Sequence, residues 1–407
     1  MSTDCDICVI GGGAVGKAGA LALAREGYRV ALLSPEGEGM AFAGATDAPW
    51  DLRVYALNHV AHRLLSSLKV WDAMDASRIA PVDAMAVQGD DATRGHLEFN
   101  AYGARVGALA WIVEDSNLNQ ALDNALRFVN GVTQLRGRAV ALSRTNQHAE
   151  VTLDNGSKVR ASLVLGADGA NSWVRAQVDI GMDYRSYHQR AVVANFSCTR
   201  PHHDVASQWF LGSEGIVALL PLPGHRVSLV WSAPDPLADQ LLAEPAERIG
   251  ERLAALTGQT LGDFTLLPPA TPRAFPLRLI RAHSLIAHRV ALLGDAAHVV
   301  HPLAGQGMNL GFADIDALLA ALRAQGRDAD CGDDRLLARY ARLRKEDVLL
   351  MQLTTDVLQR LFASELLPVK MLRNAGMGLL NKLPFIKQRL VSQALGRSHH
   401  SSANERT

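Results

Sequence analysis

The sequence predicts an α/β protein built on a parallel sheet, with a mainly antiparallel sheet domain inserted into it and a helical carboxyl region. Three observations carry that expectation. Asp6 to Ile10 is an apolar strand that leads into Gly11-Gly12-Gly13-Ala14-Val15-Gly16 and an alanine-rich helix, the strand, turn and helix alternation of parallel sheets. Leu163 to Leu165 and Val290 to Leu293 are unbroken, β-prone apolar runs, as in strands buried on both faces, and each ends in glycine and aspartate. From about Asp179 to Ser284 the pattern changes to alternating strands.

With 407 residues, 48% of them apolar and 20% charged, the chain is long enough for two domains or one large fold with an insert. Lys plus Arg equals Asp plus Glu at 41 each, a balance that argues against nucleic acid as a partner. The amino terminus enters a strand without a basic n-region or cleavage site, and no apolar run reaches the roughly 18 to 20 residues that span a bilayer. The expectation is a cytoplasmic chain, with any membrane contact peripheral, on the inner face. Cys5 and Cys8 form a C-x-x-C, but residues three apart on a strand should point to opposite faces, so both read as core thiols.

In chain order, a helix is expected from about Val15 to Glu26 and a strand from Arg29 to Leu33. Gly11, Gly13 and Gly16 then give G-x-G-x-x-G in a strand, helix, strand context, the fingerprint of dinucleotide binding. Gly11 allows the tight turn, Gly13 the approach of a pyrophosphate, Gly16 close helix packing. No acid ends the second strand. Either Glu36 reaches back from a displaced turn to the ribose, or Ser34 makes a neutral bond. Lys17 reads as a solvated lysine, the other option being a pyrophosphate contact. Asp51 to Asn58 enters a helix reaching about Lys69, and Val113-Glu114-Asp115-Ser116 opens another, capped by Ser116 or Asp115. Short strands follow to Leu165, with a hairpin turn at Asp154-Asn155-Gly156. Leu163 to Ser172 is a strand ending in Asp168-Gly169. One helix, near Pro245 to Leu256, is expected within the inserted strands, which about Ala80 to Ala108 should join.

The last strand leads through Gly294-Asp295 to a long turn containing His298, His301, Pro302, Gly305, Gln306, Gly307 and Asn309, and then to a helix with apolar residues at Leu310, Ala313, Ala317 and Leu318. Such a turn lets backbone N–H groups approach a ligand, and helix-start amides favour an electron-rich group. From about Arg335 the chain reads as helical. Residues 366–397 carry six basic and no acidic residues among apolar ones, which suits either an anionic lipid surface or docking on the chain's own domain. The expected division is 1–79, 109–178 and 285–365 for the nucleotide domain, 80–108 and 179–284 for the insert, and 398–407 as a disordered tail.

GDAAH followed by HPLAGQGMNLGFAD, together with the first glycine motif and Asp168-Gly169, resembles the FAD-dependent aromatic hydroxylases of ubiquinone biosynthesis, flavoprotein monooxygenases related to p-hydroxybenzoate hydroxylase. The similarity runs from Asp4 to about Gly396. It implies a Rossmann-like FAD-binding domain, with NAD(P)H as donor and O2 as co-substrate. The implied reaction is hydroxylation of a polyprenylated phenol through a flavin C4a-hydroperoxide. No second dinucleotide fingerprint exists, so the donor should bind transiently. The resemblance assigns cofactor contacts to Gly11, Gly13, Val15, Gly16, Ser34 or Glu36, Asp168, Gly169, Asp295 and the segment Pro302, Gly305, Gln306, Gly307, Met308 and Asn309. Arg53 matches an arginine beside the flavin, or is a surface arginine. Gln120 matches a phosphate contact, or is an exposed glutamine. Arg175 matches a residue serving both FAD and the donor. Pro302 should shape the oxygen site, backbone amides around Ala304 to Asn309, Gly305 among them, should stabilise negative charge on the reduced isoalloxazine, and His301 either relays a proton, its ordinary pKa being near neutral, or braces the loop. Possible partners are a prenylated aromatic small molecule, a membrane surface and a ubiquinone biosynthetic complex. A flavin reductase or dehydrogenase, or a flavin-bearing assembly component of such a complex, are the alternative functions. No metal ligand set and no G-x-S-x-G elbow is seen.

Overall fold

The structure, a computed structural model, describes residues 2–35, 49–91, 94–269, 271–301 and 307–363. Glu36, Pro302, Gly305, Gln306, the segment 366–397 and the tail therefore lie outside the described residues. The chain runs β1 (Ser2–Ile10), α1 (Ala14–Arg25), β2 (Val30–Ser34), β3 (Val54–Leu57), α2 (His59–Ser67), β4 (Ile79–Val82), β5 (Ala84–Asp91), β6 (Arg94–Asn100), α3 (Ala101–Ala104), β7 (Ala110–Glu114) and α4 (Asp115–Phe128). It continues β8 (Val132–Arg136), β9 (Ala139–Arg144), β10 (Ala149–Leu153), β11 (Lys158–Gly166), α5 (Trp173–Gln177), β12 (Met182–Cys198), β13 (Val205–Phe210), β14 (Ile216–Leu222) and β15 (Arg226–Pro234). Last come α6 (Asp235–Ala243), α7 (Ala246–Leu256), β16 (Phe264–Leu266), β17 (Arg273–Ala282), β18 (Ile286–Ala287), β19 (Val290–Leu292), β20 (His298–Val299), α8 (Gly307–Gln325) and α9 (Asp334–Ala363).

The first sheet has a parallel core in the order β19-β11-β1-β2-β8. The carboxyl ends of β1, β11 and β19 lie side by side, Ile10 opposite Gly166 and Gly166 opposite Leu292, so the turns that follow these strands share one edge. This is where open α/β sheets bind ligands. The second sheet is antiparallel except for β13 and β5, which pair in parallel, and orders its strands β20-β17-β12-β15-β14-β13-β5-β6. A third sheet, β3-β7-β4, stands between them, and its Ile112, Ala80 and Val82 pack with Ala206 and Leu222 of the second.

Two cores flank the parallel sheet. Ile7, Val9, Leu163 and Leu165 face α1, α2, α4 and α8, while Cys8, Ile10, Val164 and Leu292 face the other side. Cys5 joins the second of these with Cys8, so the two thiols do not take opposite faces as alternation predicts; the Asp6 and Ile7 amides both bond the Arg29 carbonyl, interrupting the pleat between them. Both are free and buried. Two helices, α6 and α7, stand where one was expected. Pro236 sits in the first turn of α6, where no N–H is needed, so a proline that reads as a break is a helix start. Among the described residues no helix is long and apolar enough to cross a membrane.

Candidate active site

The glycine fingerprint is fixed by backbone contact. At Gly11 φ is +128°, and a Cβ there would lie 2.2 Å from the Ala167 carbonyl oxygen; at Gly16 it would lie 2.0 Å from that of Gly11. Neither position admits a side chain, so the turn after β1 presses against Ala167 and Asp168 after β11. At Gly13 the same construction meets nothing within 4 Å. Gly13 is also the N-cap of α1 and offers no side chain to its first amides, which leaves those donors for a ligand phosphate. Gly169, at φ +80°, is equally open.

The turn after β19 joins this one through a single residue. Val15 packs against Gly294 at 3.4 Å and Gly311 at 2.6 Å from their would-be Cβ positions, so the fingerprint turn, Gly294 and the start of α8 form one surface. Asp295 follows on the outer side. Its side chain is exposed, but surrounding protein raises its carboxyl pKa, and His298, Arg53 and Arg278 oppose the rise. Asp168 donates nothing and accepts from the Val174 amide at 3.0 Å, while its Oδ1 is buried without a hydrogen-bond partner.

Arg53 is exposed on the same side as Asp295, its guanidinium 5.5 Å from the centre of the Phe275 ring on β17 of the second sheet. Burial disfavours its charge, but Tyr55 and Asp115 outweigh this and raise its pKa. The Tyr55 hydroxyl donates to Asp115 Oδ1 at 2.7 Å. Burial, and then Asp115, push the Tyr55 phenol well above its usual range, so it remains a donor. Asn119 Nδ2 donates to Asp115 Oδ1 at 2.8 Å, and its Oδ1 accepts from Lys17 at 3.2 Å. Lys17 is thus not solvated. Ten of the twelve residues of α1 are buried, Lys17 among them, and its ammonium pairs with Asp123 at 2.8 Å. The expected Ser116 or Asp115 cap is also replaced: the N-cap is Glu114, without a side-chain bond, and Asp51 reaches in from outside to accept the Ser116 amide at 3.0 Å.

Ser34 ends β2 half-buried, its carbonyl accepting from Gly137, and Gln120 is half-buried on α4. The Asn309 side chain is turned to the β3–α2 junction, accepting from Asn58 N at 2.9 Å and donating to Ala56 O at 2.8 Å. It locks the start of α8, with half-buried Gly307 and Met308, onto that junction. Arg175 spends both terminal nitrogens on carbonyls, Ala296 at 2.7 Å and Ala170 at 2.9 Å, and so braces the turns after β19 and β11 against each other. His301 is fully buried, and burial pushes its pKa down to about 4. The premise of a proton relay titrating near neutrality is therefore corrected: the imidazole is neutral at pH 7. It meets Tyr187 edge-on at 4.9 Å and Gln189 Oε1 at 3.5 Å, both on β12, where the register against β17 shifts between Ser186 and Arg190.

Sequence reasoning missed the group beneath Gly294. Asp314 on α8 is fully buried and accepts from the Gly294 amide at 2.8 Å, His298 Nε2 at 2.8 Å and Arg344 Nε of α9 at 2.6 Å. Burial pushes its carboxyl up, but His298 and Arg344 hold it below the usual range. A signal existed: Asp314 shares the buried stripe of Leu310 and Leu318, and a carboxylate at core spacing must have partners.

Comparison with known proteins gives the family. A protein family described as "FAD binding domain" matches residues 4–351. The chain is 37% identical over 395 residues to "Ubiquinone hydroxylase UbiL" of Rhodospirillum rubrum, covering 96% of this chain and 89% of that protein. It is 34% identical to "3-demethoxyubiquinol 3-hydroxylase" of Escherichia coli, covering 96% and 98%. Among solved structures, p-nitrophenol 4-monooxygenase PnpA from Pseudomonas putida superposes with a TM-score of 0.75 at 18% identity, covering 98% of this chain and all of that one, a likeness of fold.

Proposed function

The chain belongs to the FAD-dependent hydroxylases of ubiquinone biosynthesis, and we propose that it adds a hydroxyl group to the ring of a prenylated aromatic precursor in the cleft between its two large sheets. The observation that carries the reading is Val15 seated on Gly294 and Gly311, which makes the two glycine turns one continuous binding surface. The residues fit FAD: α1 presents uncapped amides over open space at Gly13, Asp295 presents a carboxylate, and Asp168 keeps an orphaned oxygen beside Gly11. Bound FAD would supply the redox chemistry by which NAD(P)H, a proton and O2 give NAD(P)+, one water and one oxygen atom on the ring.

In this reading the α1 amides and the positive end of the helix hold the pyrophosphate, as the fingerprint turn leaves Gly13 clear of other atoms. Ser34, closing β2, supplies a hydroxyl for the ribose, and Gln120 a phosphate contact. Asp295 accepts hydroxyl hydrogens of the ribityl chain. Arg53, held by Tyr55 and Asp115, places a fixed positive charge at the rim, and the start of α8 adds amides toward the ring. Neutral His301, closed in by Tyr187 and Gln189, excludes water and keeps that wall uncharged, as an apolar substrate needs. The donor, lacking a fingerprint of its own, binds transiently. Residues 366–397 bring the chain to an anionic membrane surface on the cytoplasmic side, where a bilayer-borne substrate and a ubiquinone biosynthetic complex would be met.

The test is O2 uptake coupled to NAD(P)H oxidation by the yellow holoprotein, which should rise with a prenylated phenol and yield its hydroxylated product. Equal turnover without oxygen would make it a reductase. Removal of residues after Leu366 should weaken binding to anionic liposomes; unchanged binding would confine that segment to packing.

A further inference from the structure

Asp295 is aimed by a residue it does not touch. Gly294 sits at φ +57°, in the left-handed region, and its amide points inward to Asp314 Oδ2 while the next residue turns outward to the cleft. Nothing in the local sequence fixes that direction, because glycine tolerates both hands of the turn. The bonds around it do. Asp314 accepts from three donors that come from three places: the Gly294 amide, His298 four residues on, and Arg344 on α9. The side chains of Asp314, His298 and Arg344 are all at most 3% exposed, so water cannot substitute for a lost partner. Helix α9 ties in at two further points, Tyr340 donating to the Leu292 carbonyl at 2.8 Å and Arg344 to that of Leu310 at 3.3 Å.

We propose that Asp314, with His298 and Arg344, is a positioning centre for cofactor retention: it holds the Gly294 turn in the one hand that presents Asp295 to FAD. The assignment rests on the reading of the cleft as an FAD site. Because Asp314 is wholly buried, it acts through Gly294 and Asp295 rather than by contact with the cofactor. In its absence the Gly294 amide and Arg344 Nε lose their acceptor, and the turn is free to invert.

The experiment titrates FAD into full-length apoprotein and follows quenching of flavin fluorescence, with visible circular dichroism of the bound flavin as a second readout. Asp314→Asn and His298→Ala should each raise the FAD Kd by about tenfold or more, while His298→Gln, which keeps an N–H for Asp314, should stay within about threefold of wild type. His298→Ala should also melt below His298→Gln, because it leaves the buried Asp314 one donor short, so the split is read well below both melting points, where far-UV circular dichroism shows both apoproteins folded. If Asp314→Asn does not fold, the His298 pair decides alone. Equal affinity of all variants, or His298→Gln binding as weakly as His298→Ala, overturns the assignment. A wild-type apoprotein that takes up no FAD would instead overturn the reading of the cleft itself.

Discussion

Two glycine turns meet at Val15, and they are held in place by different forces. The turn after β1 is fixed sterically, by backbones so close at Gly11 and Gly16 that no Cβ fits. The turn after β19 has room, since a Cβ at Gly294 would meet Val15 at an ordinary 3.4 Å, and it is fixed by a buried carboxylate with its donors. A steric turn is specified by its own few residues. A turn held by charge depends on groups 20 and 50 residues further along the chain, brought there by the packing of α8 and α9.

The largest expected effect lies in the steric turn. Gly11→Ala must move the Ala167 carbonyl, and we expect a loss of at least about 4 kcal/mol in denaturant unfolding together with loss of bound flavin. Gly13→Ala sharpens the contrast: with open space above it, stability should stay within about 0.5 kcal/mol while FAD binding weakens.

Next in size is His301, an uncharged counterpart to the charged centre at Asp314. Its folded pKa, about 4, lies below the ordinary value near 6.5 of an unfolded histidine, so between those values the unfolded state binds the extra proton. Stability should therefore fall as pH drops from about 6.5 to 4, by on the order of 3 kcal/mol. His301→Gln should remove that part of the slope in urea midpoints measured across the window. A slope unchanged by the substitution would mean that water reaches the ring.

Asp295→Asn separates binding from folding at the charged turn. Its carboxylate has no hydrogen bond to lose among the described residues, so apoprotein melting should hold while the FAD Kd rises about thirtyfold, some 2 kcal/mol. A melting point lowered as much as that of a core mutant would show the carboxylate to be structural. The smallest effect is expected at Lys17. Its partner Asp123 is 37% exposed and can turn to water, so Lys17→Met should cost only about 1 kcal/mol in thermal unfolding. A cost of several kcal/mol would make the Lys17, Asn119, Asp115 and Tyr55 chain a cooperative unit, with Arg53 at its end.

How much of this was legible in the chain follows the same division. Gly11, Gly13, Gly16, Asp168 and Asp295 were readable because a strand, a glycine and a carboxylate in fixed succession leave few conformations open. The two-helix segment α6 and α7 was half-missed because proline ends one helix and begins another. Lys17 looked solvated because a lysine near a glycine turn gives no hint of Asp123, 106 residues away. Cys5 and Cys8 were assigned opposite faces because ideal alternation does not foresee two amides sharing the Arg29 carbonyl.

By itself, the sequence determined where backbone must approach backbone, since the absence of a side chain is a local property that no partner can supply. Only the tertiary structure decided which buried charges neutralise one another, that His301 is uncharged, and that Asp314 lies beneath Gly294. The physical reason is range. Steric exclusion acts between neighbours in the chain, whereas the charge state and direction of a buried group depend on whatever distant residues the fold brings within about 3 Å of it.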